Sequence, residues 1–446
     1  MKIILYILLL FLSFDVYAVR IRYDPTDVNT QDAGSTVGAY ILNQQPVSVI
    51  INDPFNLDGF GRLKVGIPYT IFDISHRHGK HPMYFDEKVT GTGSTTHLPN
   101  TASVQMSVGT ASGDMVQQST YRYIKYFPGK SITAVWTGNF QGGKTGVIKR
   151  MGLFDHRDGP YFRMNENTLE TCIRTYISGS AVDNCTPQSS WTVDRMDGSG
   201  GDYNPSGITL QNDRQIIMWV SFQWLGSGQI QYGVNVDGDM HVVTEVNNSN
   251  VLSTAYSSSG DLPFRFEIEN IAATASATTM LKTCMTAYSD GGDIEQGRTL
   301  PVYNGSEVTI STTEKAILAI RLDPNTNRAG IKPMAINYII TNSNSAVRFS
   351  VYLRPTISAT WTDVGSQSIT EWADAGDITS FSGGYVVDGD WVQTGGNKSG
   401  NIGTQLESDL YLGRDIDGTS DVLLITAYTL SGSGKVVTDL KFREYF

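Results

Sequence analysis

"RQIIMWVSFQWLGSGQIQYGVNVDGDMHVVTEVN", residues 214–247, decides how this chain is read. Three runs rich in Ile, Val, Tyr and Trp are separated by Gly-Ser-Gly and by Asp237-Gly238. Such runs suit a pleated, half-buried surface. An Asp-Gly pair suits a two-residue hairpin turn, because glycine tolerates positive φ. The stretch therefore predicts three antiparallel strands. Trp219 and Trp224 fall on opposite faces of a regular strand, one toward a core and one toward an interface.

The same grammar extends outward. Upstream lie "TYRYIKYF", with alternating aromatics from Tyr121 onward, then "SITAVWTGNF", "GVIKRMGLF", "GPYFRMNEN" and "TLETCIRTYI"; downstream lies "PFRFEIENI". Glycine or Asp-Gly breaks at intervals of roughly 8–12 residues are the pattern of an antiparallel sandwich or barrel. "GLFDHRDGPYF" is read as two strands joined by a polar turn, with Asp155 to Asp158 at its tip. A second set follows residue 293: "EKAILAIRLDP", "MAINYIITNS", "AVRFSVYLRP", "DVLLITAYTLSG" and "KVVTDLKFREYF". Residues 88–119, rich in Thr, Ser, Gly and Gln, read as a linker or exposed arm, and residues 370–400 as a Gly/Asp/Trp-rich exposed loop. Helical periodicity is nearly absent.

The expected architecture is all-β. Residues 1–18 form a signal peptide or hydrophobic anchor, 19–118 an irregular N-terminal arm with a small β region, 119–292 a central β-sandwich and 293–446 a C-terminal one, both antiparallel and jelly-roll-like. Lys2, the apolar run "IILYILLLFLSF" and "VYA" ending at Ala18 have the layout of an export signal. If that segment is not cleaved, it is the chain's one membrane contact.

Composition excludes several classes. A net charge of -11 disfavours nucleic-acid binding, since phosphates would repel it. Only 17% of residues are charged, while Gly is abundant at 45, which suits an extracellular or particle-bound surface. GxSxG, HExxH and CxxC are all missing, and "QGGKTG" is read as a loop. No cofactor is expected.

Catalytic and metal candidates are outweighed by structural readings. Glu267 and Glu269 share one strand face and Glu245 lies on another strand, but a glycosidase pair and two solvent-facing glutamates look alike here. His76, His78 and His81 cluster in "HRHGKH", with His76 and His78 on one face of a strand, yet without the carboxylate or Cys that would complete a metal-binding spacing. The Asp-rich stretches at Asp155, Asp197 and Asp388 are oxygen-rich like calcium loops and are equally explained as turns. Cys284 is read as a buried structural thiol. Cys172 and Cys185 are the disulfide candidate in an oxidising compartment. Trp372 and Trp391, in or near loops, are the carbohydrate candidates, because sugars stack on flat aromatic faces.

Taken in order, "YRYIKYFPGKSITAVWTGNF", "GVIKRMGLFDHRDGPYFRM", "SSWTVDRMDGSG", "WVSFQWLGSGQIQYGV", "LPFRFEIEN", "TASATTMLKTCMTAYSDGG" and the closing "DVLLITAYTLSGSGKVVTDLKFREYF" resemble a family of poorly characterised structural proteins of tailed bacteriophages and large DNA viruses. The resemblance covers residues 119–292 and the C-terminal strands, over half the chain. It implies a non-enzymatic virion component, tail, fibre or capsid-associated, with no catalytic residues to carry over. Its partners would be other virion proteins or further copies of itself, or a host-surface glycan. The N-terminus departs from the family, since phage particle proteins rarely carry export signals. Insertion into a viral membrane and a eukaryotic secretory route both stay open, the latter permitted by sequons at Asn184, Asn247, Asn304 and Asn397. The alternative reading is a secreted carbohydrate-binding β-sandwich protein, with glycoside hydrolysis as its enzymatic extension.

Overall fold

A computed structural model describes residues 36–40, 46–50, 68–291, 297–325, 330–393, 398–402 and 410–445. The signal-like segment 1–18 lies outside them. The chain divides into two compact units, residues 1–67 and 68–446. In the first, Thr36–Tyr40 pairs antiparallel with Pro46–Ile50. The second is all-β: every strand pairing is antiparallel and only three short 3-10 turns interrupt the strands among the described residues.

Within residues 68–446 two sandwiches form around separate apolar cores. In the first, a seven-stranded sheet runs Val182–Pro187, Thr168–Thr175, Gly159–Asn165, Val147–Leu153, Phe264–Asn270, Met115–Thr120, Phe85–Thr90. The facing sheet runs Asp239–Asn247, Gln229–Val236, Ile216–Phe222, Ile132–Asn139, Thr278–Asp290, Ser103–Val108, Ser94–Leu98, and Pro68–Ser75 also pairs with Thr278–Asp290. Strand alternation sends Phe162, Phe264, Phe266, Trp136, Met218 and Tyr232 into the gap between the sheets. There Phe162 meets the rings of Trp136, Trp191 and Tyr232 edge-on, at 6.1, 6.2 and 5.7 Å between centroids.

The second sandwich packs a sheet built on Gly434–Tyr445 and Gly330–Ser343 against one ordered Thr362–Asp363, Thr370–Asp374, Lys315–Leu322, Val422–Thr429, Val347–Leu353, Tyr385–Val392. Its core is aliphatic, with Phe349 and Tyr338 stacked at 4.5 Å.

The hairpins read from sequence are present. Val147–Leu153 pairs with Gly159–Asn165, and in the intervening turn Asp155 Oδ1 accepts from the amides of Arg157 and Asp158 at 2.7 and 2.9 Å. Asp237 and Gly238 join their strands with φ of 54° and 93°, the double-positive conformation of the tightest hairpin turns. Several expectations need correction. Residues 88–119 are not an arm: they supply strands to both sheets of the first sandwich, with Val104, Met106, Val108 and Val116 buried. Ser, Thr and Gln at the intervening positions diluted the apolar signal. Residues 370–400 are likewise not a loop but contribute Thr370–Asp374, Ile378–Ser382, Tyr385–Val392 and the start of Lys398–Ile402. The aromatic alternation from Tyr121 does not mark a strand: the strand ends at Thr120, and a single bridge from Ile124 to Leu262 is all the pairing that follows. Trp219 is buried, whereas Trp224 lies beyond the end of its strand and donates Nε1 to Ser257 O at 3.1 Å.

The core's dependence on its aromatic centre is testable. Phe162→Ala should cost about 3–5 kcal/mol in urea unfolding, while Val251→Ala, at an exposed side chain, should stay within about 0.5 kcal/mol of the parent.

Candidate functional site

The alternation that buries Phe264, Phe266 and Ile268 turns Arg265, Glu267 and Glu269 to the outer face of the seven-stranded sheet. Arg150, opposite Glu267 on the neighbouring strand, reaches Glu267 Oε2 and Glu269 Oε2, both at 3.1 Å. Glu267 Oε1 accepts from Arg265 Nε at 2.5 Å and Gln117 Nε2 at 2.9 Å. The lattice continues across the sheet through Arg163–Glu170 at 2.6 Å and Arg174–Asp183 at 2.8 Å. Cys172 and Cys185 are direct cross-strand neighbours joined by a disulfide, Cα–Cα 4.1 Å, and pack with Phe154 and Tyr161 beneath these charges. Burial alone would raise the Glu267 carboxyl, but Arg265, Arg150 and Arg174 pull it down to about 2. A glycosidase acid must hold its proton near the working pH, and Glu267 does the reverse. Both of its oxygens are spent on cations and an amide. Glu245 sits on the other sheet, bonded to Gln231 at 2.9 Å, and does not join this group.

The remaining predicted positions scatter. His76 lies in the turn after Pro68–Ser75 rather than on a strand face with His78. Burial and then Lys282 push its ring down to about 3, so it is neutral. His76, His81 and His97 each hydrogen-bond a backbone carbonyl, of Gly79, Ser75 and His76 respectively, instead of converging. Among the described residues the one grouping at metal-binding spacing is Glu170 with Cys172 and Cys185, whose sulfurs are already bonded to each other. Asp197 caps the amide of Ser199, and Asp388 lies within the strand Tyr385–Val392 rather than a loop. Cys284 is exposed, not buried: the register shifts between Lys282 and Met285, turning it outward. Lys144 of "QGGKTG" is engaged by Ser276 and Ala277. Trp372 is half-buried against the second core, while Trp391 is exposed beside Tyr428 and Arg348.

What the sequence did not reveal is a cleft of about 480 Å³ where the two sandwiches meet, walled by His81, Tyr84, Tyr121, Arg122, Arg354 and Tyr411. The first four come from the first sandwich and the last two from the second. Arg354 forks onto Asp421 (Nε–Oδ1 2.7 Å, Nη2–Oδ2 3.1 Å), donates Nη1 to Met83 O at 2.7 Å, and lies 3.3 Å over the Tyr121 ring. Arg122 lies 4.1 Å over Tyr411. Burial, then the carboxylate of Asp86, raises the Tyr121 hydroxyl above its ordinary range, so it stays a donor. Lys88–Asp417 and the 2.8 Å bond from Ile416 N to Asp86 tie the same junction, and a Cβ on Gly413 would overlap the Tyr121 carbonyl. The abundance of Tyr and Arg near residue 121 was a visible signal; their partners more than 200 residues away were not.

No family model matches the chain, and no curated protein matches it. Solved structures similar to it include a legume lectin-like domain from Entamoeba histolytica (10% identity, 48% of this chain and 96% of that one, TM-score 0.29). Others are a family 16 glycosyl hydrolase from Mycobacterium smegmatis (11%, 49% and 100%, 0.32) and the alginate lyase vAL-1 from Chlorella virus (14%, 46% and 91%, 0.29). At these values the likeness carries neither family nor function to this chain.

The charge lattice makes a prediction. Because the folded Glu267 titrates below the ordinary 4.5, its contribution to stability is present above that value and lost as pH falls toward 2. Glu267→Gln should cost about 3–5 kcal/mol at neutral pH by stranding buried arginines. It should also flatten the fall in urea midpoint between those two pH values.

Proposed function

We propose that this chain is a non-enzymatic attachment protein that holds a carbohydrate in the cleft between its sandwiches. The observation that carries this is the cleft wall itself: tyrosine rings interleaved with guanidinium forks fixed by stacking and by Asp421. A sugar presents both C–H faces and hydroxyls, which suit an aromatic wall carrying rigid planar donors. The volume falls in the range of roughly 300–1,000 Å³ usual for small-ligand sites, and a domain junction is a usual place for one. Asp73 is the one carboxylate in the lining among the described residues, and the Glu267–Glu269 pair is locked by Arg150 on another face. Both facts support binding rather than hydrolysis. Trp391 remains exposed for a secondary sugar contact, whereas Trp372 serves the second core. The disulfide suits an oxidising route to a secreted or particle surface.

A structural role in a virion is the second reading, and one feature favours it. The edge strand Tyr385–Val392 exposes Tyr385, Val386 and Trp391 together. An edge strand with exposed apolar side chains invites pairing with another copy or a neighbouring protein. Stoichiometric recovery from purified particles would support that role, and absence from them would remove it.

For the cleft, glycan-array binding by the full chain should weaken at least about tenfold in both Tyr84→Ala and Arg122→Ala, the loss expected for one charge-assisted or stacking contact. Trp391→Ala should retain most of the binding. Failure of the parent to bind any glycan, or indifference to both cleft variants, would sink the proposal.

A further inference from the structure

Deep between the sheets of the first sandwich, Lys282 Nζ and Gln118 Oε1 are buried without a hydrogen-bond partner. Buried polar groups are nearly always paired, so two orphans in one core call for an explanation. Both border the same pair of aromatic rings. Gln118 is the direct cross-strand partner of Glu87 on one side and of Phe266 on the other, and Phe85 stands two pairs further along, opposite Thr120. Lys282 enters from the opposite sheet, with Nζ 3.5 Å from the Phe85 ring centroid and 5.1 Å from that of Phe266. A point above both rings lies over the strand that carries Gln118. The other amide atom is already committed: Gln118 Nε2 donates to Glu87 Oε2 at 2.6 Å, and Thr95 and Lys80 hold the same carboxylate. His76 also borders Phe85, its ring 5.2 Å away and its Nε2 likewise without a partner.

We propose that Lys282 and Gln118 condense into an intramolecular isopeptide bond that staples the two sheets, with Glu87 carrying the proton. The neutral amine of Lys282 attacks Cδ of Gln118, forming the new C–N bond and a tetrahedral centre. Glu87 takes a proton from the attacking nitrogen and delivers it to Nε2, to which it is already hydrogen-bonded. The Cδ–Nε2 bond then breaks and ammonia leaves. Amine plus primary amide gives secondary amide plus ammonia, so nothing is oxidised or reduced and no co-reactant is needed. Burial supplies the nucleophile, since an amine stripped of water loses its proton far more readily than in solution, and desolvation lowers Lys282 well below its ordinary value. Glu87 is held below the usual carboxylate range: burial opposes this, but bonds from Thr95 and Gln118 and the charge of Lys80 outweigh it, leaving it ionised as a proton acceptor. The staple is independent of any ligand in the cleft.

Peptide mass analysis of the reduced, trypsin-digested full chain tests this directly. One linked peptide containing both residues should appear, lighter than the sum of its parts by one ammonia, with cleavage after Lys282 blocked. Lys282→Met, which keeps the apolar stem, should fold by circular dichroism and yield only separate peptides. Glu87→Gln should do the same. Recovery of Gln118 and Lys282 in separate peptides of full mass from the parent chain would overturn the proposal, and so would an orphaned pair explained by an ordinary buried water. An undiminished linked peptide in Glu87→Gln would overturn the role given to that carboxylate.

Discussion

The aromatic wedge of Trp136, Phe162 and Phe264 fixes the first sandwich, and the rest of the structure depends on which way its strands face. Strands alternate strictly, so committing Phe264, Phe266 and Ile268 to the interior commits Arg265, Glu267 and Glu269 to the exterior. A slip of one residue would drive three ionised groups into the core and expose three large apolar ones. The apolar contacts thus determine where the charges go, and the charges then have to be reconciled with one another. Arg150 and Gln117 do that on the outer face.

Two solutions to buried charge coexist here. On the outer face, carboxylates and guanidiniums are matched nearly one to one across adjacent strands, and Tyr161 and the disulfide fill the space beneath. Each partner keeps the other ionised, which is why Glu267 titrates so low despite its burial. Inside the sandwich the amine of Lys282 instead meets aromatic rings and an amide, surroundings that favour a neutral amine. The first environment makes a carboxylate inert as an acid. The second makes an amine reactive.

Strand existence was legible wherever bulky residues alternated with polar ones, as in 216–247, because the interior there is built from Met218, Val220, Phe222 and Tyr232. It was illegible in 88–119, where Gln118 occupies an interior position and mimics a solvated arm. Cys284 shows a different limit: a bulge in one strand reverses the facing that simple alternation assigns. The cleft was hidden for a further reason. Its walls are brought together by contacts such as Arg354 to Met83, between residues 271 positions apart, and no local pattern encodes a pairing at that separation. Local preference identifies elements, but a junction is a property of two finished surfaces.

Arg354 shows how that junction is made rigid enough to matter. Its backbone adopts a positive φ of 55°, a conformation unusual for a long side chain and sustained only where surrounding contacts compensate. Here the compensation is a two-point fork on Asp421, a bond to the Met83 carbonyl and stacking on Tyr121. Asp421 in turn accepts the amide of Gly413, the residue that must lack a side chain for Tyr121 to approach. One arginine therefore links the strand ends of the second sandwich, the turn that carries Tyr84 and the aromatic wall of the cleft. A donor fixed from so many directions loses little freedom when a ligand arrives, and preorganisation of that kind raises affinity without adding contacts.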